Sequence, residues 1–302
     1  MIEKIKANLI YNPNSGQIWS AFKPSFVKEF LNKKGWEVDI SETQYKDHAT
    51  KLASDSVGKY DVVIAAGGDG TINEAVQGIA GTNVKLAILP VGTTNVLARD
   101  LNIPLNFQEA LAIIPNGEEV EIDLGVINDR YFILMVGIGF DAKLVNEVDS
   151  KFKKLTGVLA FAATSPVSML RHRIGKMSIT FWDSLGKKKK IQRNSYQVLV
   201  SNASTYATSL KVATEAKVDD GVLDVDIFKS NKIYDFAWNL ISIAVKKYKH
   251  NHDVSESFKI SKMNIKTFPP MPIQVDGDSF GYTPASIEIR PKFLKIIKPI
   301  NL

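Results

Sequence analysis

Residues Val62 to Glu74 read Val-Val-Ile-Ala-Ala-Gly-Gly-Asp-Gly-Thr-Ile-Asn-Glu. An apolar run of strand type enters a glycine turn and leaves with helical spacing. Gly67, Gly68 and Gly70 permit positive φ and close backbone approach. The amides that open the following helix would then face outward with partial positive charge, which suits a phosphate. Asp69 stands out in such a turn. A carboxylate beside a phosphate is repelled unless a cation or a transferable proton lies between them, so Asp69 points to chemistry as well as binding. An isolated Gly-Gly-Asp-Gly would serve equally well as a tight turn with Asp69 as a helix cap, and the rest of the chain must decide.

The first third repeats the same grammar. Strand-type runs at Ile5–Tyr11, Trp36–Ser41, Asp61–Ala66 and Lys85–Leu89 alternate with helical spacing at Ala21–Lys34, His48–Val57, Ile72–Ile79, Val96–Leu101 and Phe107–Ile114. Alternation of this kind predicts a parallel sheet with helices on both faces. Ligands bind such sheets outside the carboxyl ends of the strands. Three polar turns, Asn12-Pro13-Asn14-Ser15-Gly16, Gly67–Thr71 and Pro90–Asn95, would share that edge with Thr43.

Near Glu118 the pattern changes. Strand-type runs at Val120–Ile127, Tyr131–Gly137, Lys176–Trp182, Ile191–Ser201, Val222–Phe228, Ser257–Thr267, Met271–Val275, Ala285–Arg290 and Leu294–Lys298 dominate. Helical stretches are expected at 152–173 and 232–250. This predicts an antiparallel sandwich over residues 125–302 behind an α/β domain over 1–124, with the return of the last strand to the first domain left open. Lys187–Lys190 follows Ser184-Leu185-Gly186 and reads as a solvated hairpin tip.

Charge is divided unevenly. Met1–Gly125 holds 11 Lys+Arg and 16 Asp+Glu, whereas the remainder holds 27 and 16. A basic back half favours anionic partners, and a phospholipid surface is preferred here. Nucleic acid is not expected, because the basic residues are scattered and form no reading motif. With no cysteine, thiolate metal sites and disulfides are excluded. The N-terminal residues lack a signal-peptide core, and the apolar run Phe236–Val245 is too short to span a bilayer. A cytoplasmic protein touching membranes peripherally is expected, and a homodimer is compatible with the sequence.

Five segments in order, Asn12–Gly16, Gly67–Glu74, Leu89–Asn95, Asp219–Asp224 and Val275–Asp278, resemble the bacterial diacylglycerol kinase-like lipid kinases. That family includes the catalytic domains of sphingosine and ceramide kinases. The resemblance covers nearly the whole chain. It implies an NAD kinase/phosphofructokinase-like nucleotide domain, a β-sandwich domain, and ATP and a lipid alcohol meeting between them. It further implies that Asn12, Pro13, Asn14, Ser15, Gly16, Thr43, Gly68, Asp69, Gly70, Thr71, Ile72, Asn73, Glu74 and Thr93 contact the nucleotide. Asp276 is implied as the base toward the lipid hydroxyl, with Asp278 and Asp69 in the same acidic system. A structural Mg²⁺ is implied at Asp220 with the carbonyls of Lys217 and Val222, beside a second Mg²⁺ that accompanies ATP. Two positions depart from the family pattern. Val96 stands where an aspartate is frequent, and Asp278 where a glutamate is usual. Read without the other motifs, Asp276-Gly277 is a hairpin turn. The competing readings are a kinase of a soluble substrate and a non-catalytic nucleotide- or lipid-binding regulator.

Overall fold

A computed structural model describes residues 4–15, 22–147, 175–206, 210–211, 216–228 and 255–300. The expected helices at 152–173 and 232–250 lie outside the described residues. So do Gly16 and the basic residues Lys151, Lys153, Lys154, Arg171 and Arg173. The chain forms two compact units, Met1–Leu124 with Lys292–Leu302, and Gly125–Pro291.

The first unit contains β1 (Lys6–Tyr11), α1 (Pro24–Lys33), β2 (Glu37–Glu42), α2 (His48–Ser54), β3 (Val62–Gly67), α3 (Asp69–Ile79), β4 (Lys85–Pro90), α4 (Val96–Asp100) and α5 (Phe107–Ile113). Its strands pair in parallel in the order β2-β1-β3-β4. Every residue of β3 is buried. This is why that strand reads as an unbroken apolar run rather than an alternating one, since helices cover both faces of a parallel sheet. At α5 the Asn106 side chain accepts hydrogen bonds from the amides of Gln108 and Glu109, satisfying two donors that open the helix.

Two expectations about the glycine turn are corrected. The helix begins at Asp69, three residues earlier than its apolar spacing indicates, with the Gly68 carbonyl accepting from the Ile72 amide. Nor does Gly67, Gly68 or Gly70 adopt positive φ. Gly67 serves close approach instead. A Cβ at Gly67 would lie 2.4 Å from Thr71 Cβ, and one at Gly92 would lie 2.3 Å from the Gly68 Cα.

The second unit is an antiparallel sandwich. One layer pairs β8 (Gly175–Trp182), β9 (Lys188–Ser195), β15 (Lys262–Phe268) and the early part of β18 (Ala285–Lys298), with β5 (Glu118–Ile127) running into β6 (Arg130–Phe132). The other has the order β14 (Ser255–Ile260), β13 (Leu223–Phe228), β10 (Gln197–Ser201), β7 (Met135–Gly139), β16 (Pro272–Val275) and β17 (Asp278–Tyr282). α6 (Phe140–Glu147) follows β7, and β11 (Thr205–Tyr206) pairs with β12 (Leu210–Lys211). Side chains from both layers, among them Phe132, Ile138, Ile179, Val198, Ile227 and Ile287, form the core.

Strand boundaries differ from the sequence reading where the chain changes layer. Ile191–Ser201 and Ser257–Thr267, each expected as one strand, divide at Tyr196 and Ser261. Ser261 turns its amide to the Trp182 carbonyl, 2.8 Å away. Apolar alternation continues through such corners because both layers face one core. Conversely, Ala285–Arg290 and Leu294–Lys298 join into β18, which pairs antiparallel with β15 and, further along, parallel with β4. Lys292, at φ +53°, bends this strand, and its amide donates to Asp123. The lysine tetrad is not the hairpin tip. The turn is Asp183–Lys187, closed by amides of Leu185 and Lys187 on the Asp183 carboxylate. Lys188–Lys190 belong to edge strand β9, where charge discourages edge-to-edge pairing.

Candidate active site

In the first unit the strand order reverses between β1 and β3, the switch point at which doubly wound sheets bind ligands. The turn after β1 meets the start of α3 there. Asn12 donates to Thr71 Oγ1 at 3.4 Å, and Ser15 Oγ lies 3.3 Å from the same hydroxyl. Asn12 also accepts from the Asn14 amide, which folds Pro13 and Asn14 into a compact turn. Thr43 follows β2, with its amide on the Tyr11 carbonyl at 2.9 Å. Thr93 is exposed on the turn after β4. A Cβ on Gly70 would meet nothing within 4 Å.

The remaining members of the motif face inward. Ile72 is a core side chain. Asn73 is buried and accepts from Gln77. Glu74 accepts from the Ala49 amide at the start of α2 and so ties α3 to α2. Asp69 bonds across to the next turn. Its Oδ2 accepts from the Thr94 hydroxyl at 2.8 Å, and its Oδ1 from the amides of Val96 at 2.7 Å and Leu97 at 3.4 Å. Asp69 therefore caps α4, a helix whose own flanking residue supplies no side-chain cap. Val96 enters this contact through its backbone, which any residue type provides. The same turn is locked by Asn95 at φ +49°, whose side chain accepts from the Gly92 amide and donates to the Gly92 carbonyl.

In the second unit Asp276 and Gly277, at φ +48° and +87°, form the two-residue turn between β16 and β17. The turn also builds a carboxylate site. Asp276 Oδ2 accepts from the Ile133 amide at 2.9 Å, and Oδ1 from Leu134 at 3.0 Å and Met135 at 2.9 Å. The expected strand Tyr131–Gly137 is broken into β6 and β7 at this point, because consecutive amides that turn to one carboxylate cannot also alternate along a ladder. Burial pushes the Asp276 carboxyl up to about 6, against the opposing pull of the three amides and of Arg130. Asp278 is exposed, and its Oδ2 lies 3.0 Å from Arg130 Nη2. Behind the turn, Gln274 accepts from the Gly277 amide and donates to buried Asp141 at 2.7 Å.

The Asp219–Gly221 turn offers carboxylate and carbonyl oxygens, the donors a hard cation takes. Asp220 Oδ1 accepts from the Val222 amide at 3.2 Å, its Oδ2 lies 3.7 Å from Lys259 Nζ, and Gly221 has φ +74°. Among the described residues no group of three or more His, Asp or Glu side chains gathers to hold a metal. One carboxylate with carbonyls thus fits only a cation that keeps most of its water.

Comparison with known proteins joins these observations. The diacylglycerol kinase catalytic domain model matches residues 6–127, and the YegS C-terminal NAD kinase beta sandwich-like domain model matches residues 134–298. The chain belongs to the diacylglycerol kinase-like family. It is 28% identical over 298 residues to a diacylglycerol kinase of Staphylococcus epidermidis, covering 97% of this chain and 92% of that one. A diacylglycerol kinase of Staphylococcus aureus strain MRSA252 is 28% identical over 302 residues, covering 98% and 93%. The crystal structure of a diacylglycerol kinase from Bacillus anthracis str. Sterne matches with a TM-score of 0.78 and 25% identity, covering 99% and 98%. This chain is a kinase of that family, built from a mostly parallel sheet unit and an antiparallel one. No described helix is long and apolar enough to cross a membrane.

Sequence reasoning placed Thr94 and Asn95 in a polar turn at the ligand edge without the bonds they make, and did not find Arg130, Gln274 or the Ile133–Met135 amides as parts of these arrangements. One signal for Gln274 was present in Gly137-Ile138-Gly139-Phe140-Asp141, whose aspartate it bonds. A Cβ on Gly137 would stand 2.1 Å from Asp141 Oδ2, so glycine leaves room there for the Asp141 carboxylate.

Proposed function

We propose that this kinase transfers the γ-phosphoryl group of ATP to the hydroxyl of diacylglycerol or a related lipid alcohol. The observation that carries the reading is Asp276, a carboxylate held by three amides with its acidity tuned to about 6. Its role is to take the proton of the attacking hydroxyl as the oxygen–phosphorus bond forms and ADP leaves with the bridging oxygen. A base of this acidity is ionised at neutral pH yet far more basic than an ordinary carboxylate. Asn12, Ser15, Thr71 and the space beside Gly70 serve the phosphates, with Thr43 and Thr93 beside the nucleotide. The experiment is label transfer from ATP, with Mg²⁺, to a panel of lipid alcohols in mixed micelles. One labelled lipid supports the reading, and ATP binding without any labelled lipid overturns it.

A pH profile tests the base directly. Asp276 must be ionised, and burial raises its pKa, so activity is present above about 6 and lost below it. The expected kcat/KM falls about tenfold per unit as pH drops through the acid limb. A limb near 4 would remove Asp276 from the role.

A Mg²⁺ that accompanies ATP supplies charge neutralisation at the phosphates. Asp220 with the carbonyl oxygens of Lys217 and Val222 would hold a structural Mg²⁺ that keeps most of its water. The partner surface is an anionic membrane. Among the described residues Lys187–Lys190 pair with no carboxylate, and Leu185 is 91% exposed at the adjoining hairpin tip. Each lysine near an anionic leaflet contributes about 1 kcal/mol. Vesicle binding is expected to weaken in high salt and in Lys188→Glu/Lys190→Glu. Binding that is indifferent to both would exclude this hairpin.

A further inference from the structure

Asp278 is two residues from Asp276, and its carboxylate is committed to a partner. Arg130 Nη2 lies 3.0 Å from Asp278 Oδ2, and the Arg130 guanidinium stands 5.8 Å from the centre of the Phe280 ring. Asp278 and Phe280 are i and i+2 on β17, so they project on the same face of the strand. One guanidinium thus grips two side chains of a single strand, by ion pair and by cation–π contact. Arg130 opens β6, and the next residues after β6 are Ile133 and Leu134, whose amides hold Asp276. The Asp276 amide in turn donates to the Met135 carbonyl at 3.0 Å. Segment 130–135 therefore grips the β16–β17 turn at two places, through Arg130 on one side and through backbone on the other.

We propose that Arg130 and Asp278 are a positioning pair, in which Asp278 acts on the reaction through Arg130, holding the turn that carries Asp276, and does not touch the lipid hydroxyl. This rests on the proposed role of Asp276 and reassigns Asp278 from the catalytic group expected by resemblance. An aspartate in place of the usual glutamate is then a matter of reach to Arg130, not of reach to substrate.

The charge arrangement agrees with the geometry. Arg130 on β6 favours the ionised form of Asp276, opposing burial. Asp278 on β17 partly neutralises Arg130. α6 packs against β16 and β17 and brings Asp141, bonded to Gln274, and Lys143. Removing Arg130 should raise the pKa of Asp276. Removing only the Asp278 charge should leave it unchanged or lower it.

The test compares Arg130→Ala, Arg130→Lys, Asp278→Asn and the Arg130→Ala/Asp278→Asn double variant of the full chain. Arg130→Ala should lower kcat by about ten- to a hundredfold through misplacement of the base, with KM for ATP unchanged and the acid limb moved to higher pH. Arg130→Lys keeps the charge and should restore the limb without fully restoring kcat. Asp278→Asn should keep a tenth or more of kcat, and the double variant should be no slower than Arg130→Ala, since the pair acts as a unit. Loss in Asp278→Asn as deep as in Asp276→Asn, or additive losses in the double variant, overturns the proposal. The Asp276 carboxyl is also titrated by ¹³C NMR of aspartate-labelled protein, assigned by its disappearance in Asp276→Asn. An upward shift in Arg130→Ala supports the pair even if no lipid is phosphorylated, which separates this proposal from the lipid kinase reading. An unmoved titration counts against it. If Arg130→Ala does not fold, Arg130→Gln serves in its place.

Discussion

Replacing Asp276 by asparagine is expected to lower phosphoryl transfer by about a thousandfold, the middle of the range for a general base, while ATP affinity stays unchanged. The reasoning is local. Asparagine keeps one oxygen for the amides of Leu134 and Met135 but presents its NH₂ to the Ile133 amide, donor against donor. It also has no basic oxygen for the substrate proton. The residues proposed to hold the nucleotide belong to the other compact unit, so the hydrogen bonds around Thr71 are untouched. Label transfer and ATP titration on the same preparation check both halves. A variant with more than a tenth of wild-type kcat would show that another group takes the proton.

Gly92→Ala should be the most damaging small substitution in the first unit. The added methyl would stand 2.3 Å from the Gly68 Cα and 2.8 Å from Asn95 Oδ1, and neither can withdraw easily. One is backbone, and the other holds the Gly92 amide. Overpacking of this kind costs about 3 kcal/mol, at the upper end of the usual range, and a fall in melting temperature of about 10 °C is expected. ATP binding should be lost with it, because the Gly68 and Gly92 turns are pressed together. Gly70→Ala is the informative control. Its methyl would meet no protein atom within 4 Å, and alanine favours a helix over glycine by about 1 kcal/mol. Folding stability should hold or rise while ATP affinity falls, if the proposed phosphate site lies in the open space beside Gly70. Unchanged affinity in Gly70→Ala would move the phosphates elsewhere.

Much of the α/β unit is legible in the sequence because its signals are short-range. Buried parallel strands read as apolar runs, as in Val62–Ala66, and each is followed within a few residues by its polar turn. The sandwich is less legible. Apolar alternation runs straight through Tyr196 and Ser261, where the chain leaves one layer for the other, because both layers feed one core. The glycine motif reads as a site of positive φ, a freedom that Gly67, Gly68 and Gly70 do not use. Gly67 is required by its contact with Thr71, and Gly92 by its contact with the Gly68 backbone; closeness between two separate turns leaves no trace in local spacing.

The site divides in the same way. The sequence by itself determined the order of elements in the α/β unit and the turns Asn12–Ser15, Gly67–Thr71, Gly92–Asn95 and Asp276–Gly277, because turn chemistry and strand burial act over a few neighbouring residues. Only the tertiary structure decided what the carboxylates do. Asp69 caps a helix that begins 27 residues later. Asp276 is held by amides 141 to 143 residues earlier, and Asp278 pairs with an arginine 148 residues away. Each role is set by hydrogen-bond donors and charges that fold up against the carboxylate, and burial in the folded chain, not residue type, gives Asp276 its basicity.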